Sequence, residues 1–399
     1  MAKKIVVIGT GYVGLPAAIM LANAGHKVVG VDINKNIVKA INSGEMCINE
    51  KELLSLMESE NVRKNLTAQN TPCEGDIFII AVPTPIDKRK KVADLNSVKK
   101  ALESILPYIK KDNLIIIEST VPPLTCKEII VPMIEKKGFI VGEDVMLAHC
   151  PERILPGDIF YEIIHNDRVI GGINKRSSLV AKELYSSFVK GKLYLTDIIT
   201  AELTKLMENT YRDVNIALAN EFSAVGETLG INVVEAIELA NKHPRVNILY
   251  PGIGVGGHCI PVDPWFIKEV DPENCTLIFT ARRINDQMPN KISAKIRNAV
   301  KDIPNPKIVA LGAAYKANTN DLRESPSLDI VNILLEDGYN VKLYDPYIKE
   351  YSYFSIEEIV KGADCLVTLV KHDVIIKELS EKHQKIKMLM RNPIIISFG

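Results

Sequence analysis

Two stretches of this sequence hold residue types that can do chemistry. The first is Pro251-Gly-Ile-Gly-Val-Gly-Gly-His-Cys-Ile-Pro-Val-Asp-Pro-Trp265. Its four glycines let backbone approach a ligand without Cβ clashes, and its prolines hold the path of the loop. A thiol there, Cys259, is presented to something, whereas a structural cysteine is normally packed inside a regular element. The second is Gly9-Thr-Gly-Tyr-Val-Gly14, a G-x-G-x-x-G spacing between a strand pattern and a helix pattern. Gly9 permits the tight turn, Gly11 lets a pyrophosphate approach the backbone, and Gly14 lets helix and strand pack closely, with the helix N-terminus facing the phosphates. Asp32 ends the next strand pattern, at the roughly 20-residue distance of a ribose-binding acid. It would repel a 2′-phosphate, which favours NAD over NADP; Lys35 close by acts the other way. Together the two stretches predict an oxidoreductase that holds its substrate covalently on sulfur.

These residues need elements to position them. Apolar runs over residues 4–8 and 26–31 read as strands, and residues 15–24 as a helix closed by Gly25. Further strands are expected at 76–82, 114–118, 145–149 and 168–171, with helical stretches between most of them. Strands alternating with helices imply a mostly parallel sheet covered on both faces. The pattern changes near Thr196. Residues 198–229 hold almost no breakers and repeat apolar residues at helical spacing, so a long helix is expected, followed by another over 233–241. This block reads as a connector and dimer core. Residues 277–300 read as helical again, and Pro304-Asn-Pro306 marks a boundary. Strands at 307–311, 340–344, 365–369 and 393–397 form a second alternating unit, with no sequence identity to the first in view. The fold class expected is α/β, two Rossmann-like doubly wound lobes joined by a long-helix connector. The domains expected are 1–195, 196–300 with the Cys loop, and 301–399.

Composition narrows the partners. The 399 residues are 47% hydrophobic and 25% charged, as in a soluble globular enzyme. Formal net charge is zero, which argues against nucleic acid or an anionic membrane, since both want a basic surplus. Seven scattered cysteines without C-x-x-C pairs imply neither a disulfide framework nor a zinc ribbon, so a cytoplasmic protein is expected. The opening Met1-Ala-Lys-Lys runs straight into a strand, leaving no room for a signal peptide. No apolar run approaches the ~18 residues of a membrane span. His258 invites a metal reading, but no second Cys/His pair lies at ligand spacing, so no metal is expected.

The motifs carry a resemblance. They are residues 9–14, Val82-Pro-Thr-Pro85, Glu118-Ser-Thr-Val-Pro122, Cys150-Pro-Glu-Arg153, Ala201-Glu-Leu-Thr-Lys-Leu-Met-Glu-Asn209, Gly256-Gly-His-Cys259 with Asp263, Tyr315-Lys316, and Asp321-Leu-Arg-Glu-Ser-Pro326. Over essentially its whole length the chain resembles the UDP-glucose/GDP-mannose dehydrogenases, which oxidise a sugar C6 alcohol to a carboxylate with two NAD. Within that family it is most similar to the UDP-N-acetyl-D-mannosamine dehydrogenases, through Pro151-Glu-Arg-Ile-Leu-Pro156, Asn166-Asp-Arg-Val-Ile-Gly-Gly172, Tyr211-Arg-Asp-Val-Asn215, His243-Pro-Arg-Val-Asn-Ile248 and the Cys loop. Glucose-type members tend to have Lys where this chain has Val262. UDP-N-acetylglucosamine is the alternative substrate, and a non-catalytic NAD-binding protein is the alternative outside enzymes.

The resemblance also implies roles. Cys259 would be the nucleophile. Lys205 would do acid/base work or stabilise oxyanion charge, with Asn209 one helical turn away and Arg212 further along the same face on the substrate. Asp263 would position the lysine and water, and Thr120 and Glu152 would organise the catalytic water. Glu152 could act as a base or pair with Arg153. The NAD site would add Tyr12, Val13, Lys35, Thr84 and Thr120, with Arg323 reaching from the second lobe. The sugar nucleotide would meet Arg153, Ile154, Gly256, Tyr315 and Lys316, and the 301–399 lobe would bind the UDP. His243 is a sugar contact or a turn residue. Arg245 would act across a homodimer. The sequence ends at Gly399, where family members usually continue with basic residues that contact the nucleotide.

Overall fold

The computed structural model describes residues 2–46, 50–87, 89–154, 157–352 and 355–398. The chain divides into two compact units, Met1–Met207 with Trp265–Asp271, and Glu208–Pro264 with Pro272–Gly399.

The first unit is built on eight strands: β1 (Lys4–Ile8), β2 (Lys27–Val31), β3 (Leu66–Gln69), β4 (Ile77–Ile80), β5 (Leu114–Ile117), β6 (Met146–His149), β7 (Arg168–Gly172) and β8 (Leu193–Asp197). They lie in the order β3-β2-β1-β4-β5-β6-β7-β8. Every pairing is parallel except β6 with β7. The central strands are unbroken apolar runs, Ile-Phe-Ile-Ile in β4 and Leu-Ile-Ile-Ile in β5, buried throughout, because helices cover both faces of a parallel sheet. Successive side chains enter opposite cores. Ile5, Val7, Ile79 and Ile116 fill one, and Val6, Ile8, Phe78, Ile80, Ile115 and Ile117 the other. Two strands go beyond the sequence reading. Leu66–Gln69 and Leu193–Asp197 are short, partly exposed outer strands whose residues carry no long apolar run.

The second unit holds a four-stranded parallel sheet of β9 (Lys307–Leu311), β10 (Asn340–Tyr344), β11 (Cys365–Thr368) and β12 (Ile394–Ser397), in the order β10-β9-β11-β12. Its helices include residues 208–229 of the long helix Ile198–Leu229, then Val233–Ala240, Thr276–Asp286 and Met288–Val300. The single helix expected over 277–300 is two. Pro289 sits in the first turn of the second, where its missing N–H costs nothing but where it cannot continue the helix before it.

The second sheet repeats the strand order of the β2-β1-β4-β5 core of the first, together with the hydrogen bonds of one glycine and one aspartate. Gly9 (φ 88°) follows β1 and donates its N–H to Val31 O at 2.8 Å; Gly312 (φ 90°) follows β9 and donates to Tyr344 O at 2.7 Å. Asp32 accepts from Thr10 N at 3.0 Å and Asn34 N at 2.9 Å, and Asp345 accepts from Ala313 N at 2.7 Å and Tyr347 N at 2.9 Å. The second copy differs around its aspartate, where Ala313 replaces the Thr10 hydroxyl and a histidine is added. Buried His372 accepts the Asn318 N–H at Nδ1 (2.8 Å), which leaves Nε2 to donate to Asp345 at 3.0 Å.

Candidate active site

In the first unit the loop after β1 is shaped by exclusion. A Cβ on Gly14 would lie 1.9 Å from the Gly9 carbonyl oxygen, whereas one on Gly11 would meet nothing within 4 Å. The helix Gly14–Asn23 therefore starts tight against the strand, while Gly11 and Tyr12 are exposed and Val13 half-exposed. Asp32 stands half-exposed at the end of β2, its Oδ2 also accepting from the Thr10 hydroxyl at 3.1 Å. Lys35 is exposed at the start of the next helix. These residues fit a dinucleotide: an open backbone approach at Gly11 and an acid at the ribose position.

Further along the same sheet ends, the buried Thr84 hydroxyl donates to the Thr120 carbonyl at 2.6 Å, and Thr120 itself is half-exposed. Glu152 is buried. Its Oε1 accepts the Arg153 N–H at 2.8 Å, and its Oε2 accepts from Arg168 Nη2 at 2.5 Å. The carboxylate thus has an ion-pair partner sixteen residues on. Arg153 reaches the Asp167 carbonyl with Nη1 at 3.2 Å, and Ile154 is half-buried beside it. Leu155 and Pro156 of the discriminating stretch lie outside the described residues. Lys205 is half-buried on the long helix, one turn before Asn209.

In the second unit, buried Asn209 donates from Nδ2 to Asp263 Oδ2 at 2.6 Å. Asp263 opens the helix Asp263–Val270, an element that the prolines around it concealed in the sequence. Its N–H and that of Val262 both go to the Cys259 carbonyl, at 2.9 and 3.0 Å. The Cys259 side chain is exposed. Gly257 donates its N–H to the Arg323 carbonyl at 3.0 Å. A Cβ on Gly256 would lie 2.5 Å from the Glu324 oxygen and 2.7 Å from Tyr315 Cβ, so that glycine seats the thiol loop on the loop after β9. His258 has a lowered pKa, from burial first and the positive charge of Arg323 second. Arg323 forks onto Asp321, with Nε at 2.9 and 3.0 Å from the two oxygens. Lys316 and Arg212 are exposed. His243 and Arg245 are exposed neighbours, the Arg245 N–H donating to His243 Nδ1 at 3.3 Å.

The structure therefore joins Asn209 to Asp263, Gly256 to Tyr315, Thr84 to Thr120, and Glu152 to Arg168, which lies in the motif Asn166–Gly172 but had no expected role. Glu118, which heads the motif Glu118–Pro122 but likewise had no expected role, and Tyr185, which no motif contains, share that cluster. Their signal was a charge at the edge of an apolar strand: Glu118 directly after β5, Arg168 opening β7. A third feature is a set of polar residues that holds residues 247–252. Asn215 donates to the Asn247 carbonyl at 2.7 Å and accepts from Leu249 N at 3.0 Å, and Asn220 accepts from Gly252 N at 2.8 Å.

Comparison with known proteins identifies the family. Models of the UDP-glucose/GDP-mannose dehydrogenase family match three times: its NAD binding domain at residues 3–189, its central domain at 199–287 and its UDP binding domain at 309–398. A UDP-N-acetyl-D-mannosamine dehydrogenase from Methanococcus maripaludis is 51% identical over 93% of this chain and 87% of its own length. Among solved structures, a UDP-D-ManNAc dehydrogenase from Pyrococcus horikoshii is 41% identical, with TM-score 0.94 over 99% of this chain and 95% of that one. A UDP-N-acetyl-mannosamine dehydrogenase from S. aureus is 44% identical, with TM-score 0.90 over 98% and 94%. The chain is an α/β dehydrogenase with NAD as cofactor, and it belongs to the UDP-glucose/GDP-mannose dehydrogenase family.

Proposed function

We propose that this protein oxidises C6 of UDP-N-acetyl-D-mannosamine to the carboxylate, using two NAD per sugar. The observation that carries the reading is the exposed thiol of Cys259 on a loop whose backbone is tied down on both sides. Such a thiol suits a reaction that must remove two hydrides from one carbon. The relatives named for UDP-N-acetyl-D-mannosamine support the sugar.

Gly9, Gly11, Tyr12, Val13, Gly14, Asp32, Thr84 and Thr120 would hold NAD, with Arg323 and Lys35 as further contacts; bound there, NAD supplies a hydride acceptor. The chain's own groups do the rest. Lys205 and Asn209 hold the C6 oxygen and take up its charge or proton. The first oxidation leaves an aldehyde, which cannot give up a second hydride readily until a nucleophile adds. The Cys259 thiolate forms a C–S bond to that carbon, and the carbonyl oxygen takes a proton. Oxidation of the thiohemiacetal gives a thioester. Water aligned by Thr120, Glu152 and Asp263 adds to it, the C–S bond breaks, and the thiolate and the acid are released.

Arg153, Ile154, Arg212, His243, Tyr315 and Lys316 are proposed to bind the UDP-sugar. We also propose a cytoplasmic homodimer with division into domains at 1–195, 196–300 and 301–399. Tyr211, Leu218, Phe222, Val225 and Leu229 are exposed along one helix, an apolar stripe suited to a partner. The test is NADH release from a panel of UDP sugars, counted per sugar consumed. Two per UDP-N-acetylmannosamine is the expected result. One per sugar would replace this reading with a simple alcohol dehydrogenase.

A further inference from the structure

The first unit buries a cluster in which one guanidinium faces two carboxylates. Arg168, at the start of β7, lies 2.5 Å from Glu152 Oε2 and 3.4 Å from Glu118 Oε1. All three side chains are less than a tenth exposed. Tyr185, on the helix Lys175–Tyr185, donates its hydroxyl to Glu118 Oε1 at 2.5 Å, and its ring lies under the guanidinium at 4.5 Å. The other oxygen of Glu118, Oε2, has no hydrogen-bond partner among the described residues. With every acid ionised the cluster would hold one surplus negative charge in a dry site, which is costly. The orphan oxygen is where a proton relieves it. Burial accordingly pushes Glu118 up to about 7, against the pull of Arg168. Burial also raises the Cys150 thiol and the Tyr185 hydroxyl, so neither adds charge.

We propose that Arg168 is the positioning residue for Glu152, and that Glu118 is its proton-carrying counter-group, which on ionising draws the guanidinium and leaves Glu152 the stronger base. The inference rests on Glu152 serving the hydrolytic step. Below neutral pH, Arg168 belongs to Glu152 alone. Above it, the two carboxylates share one cation, and base-assisted release speeds up.

The test is the pH profile of kcat for the wild type, Glu118→Gln, Glu152→Gln and Tyr185→Phe. The wild type should show a rising limb with its midpoint near 7. Glu118→Gln should lose that limb, leaving kcat at pH 8 at its acid-side level, with KM and the melting temperature little changed. Tyr185→Phe removes a bond that favours the ionised form of Glu118, so its midpoint should move up, an arm that holds if Glu118→Gln fails to fold. If Glu152→Gln loses kcat while the Glu118→Gln profile superimposes on the wild type, or the Tyr185→Phe midpoint stays put, this inference is overturned and the role of Glu152 survives. If Glu152→Gln keeps wild-type kcat, both fall.

Discussion

Cys259 takes its place from its carbonyl rather than its thiol. That oxygen accepts two N–H groups at the start of the helix Asp263–Val270, so the backbone is fixed while the side chain remains exposed. Serine would keep this geometry and lose the nucleophile. Cys259→Ser should therefore lose uronate formation by orders of magnitude while NAD still binds; near-normal turnover would refute the covalent route. Asp32 supports a second prediction. Its carboxylate ends β2 with both oxygens oriented by backbone N–H groups, and it should exclude a 2′-phosphate. kcat/KM should favour NAD over NADP, and equal values would implicate exposed Lys35. A third follows from linkage at Glu118. Its folded pKa of about 7 exceeds the ordinary 4.5, so its contribution to stability is full below that ordinary value and is lost as pH rises through 7. Urea midpoints should fall from pH 5 to pH 8 by more in the wild type than in Glu118→Gln.

Among the elements, the long helix was legible to the residue, because thirty-two positions with Gly226 as their one breaker admit one reading. The split at Gln287 and the helix beginning at Asp263 were not, since Pro289 and Pro264 read equally as boundaries or as first-turn residues. Outer strands β3 and β8 lacked the apolar runs that revealed β4 and β5. Site residues on glycine loops were visible because glycine spacing is itself a signal. Residues acting through others were not: Asn220, Arg282 and Asn285 read as ordinary helix polars. In the fold Arg282 is buried and paired with Asp213, Asn285 donates to the Asp213 carbonyl at 2.9 Å, and Asn220 donates to Asn285 at 3.0 Å. Asn220 in turn holds Gly252, at the head of the thiol loop. Arg282→Ala would strand the Asp213 charge and should cost about 3–5 kcal/mol, read as a drop in the denaturant midpoint; a loss under about 1 kcal/mol would show that the pair is replaceable.

At the scale of the whole molecule, one folding unit serves twice. The glycine and aspartate that open the first sheet recur in the second, where His372 occupies the aspartate, so identical topology need not offer the same dinucleotide site. Sequence identity does not betray the repeat, since what persists is a turn and a carboxylate rather than a run of residues. The molecule also presents an apolar helix stripe and, beyond Val233–Ala240, an exposed Arg245 that rests on His243. We expect these to belong together: a two-fold partner covering the stripe would receive the loop of its mate. A charge-assisted bond from Arg245 to a substrate oxyanion would contribute ~1.5–3 kcal/mol. Mixing Cys259→Ser with Arg245→Ala subunits tests it. With shared sites, a mixed dimer holds one doubly damaged site and one intact site, so activity should reappear on mixing. If mixed dimers form and none returns, Arg245 serves its own chain.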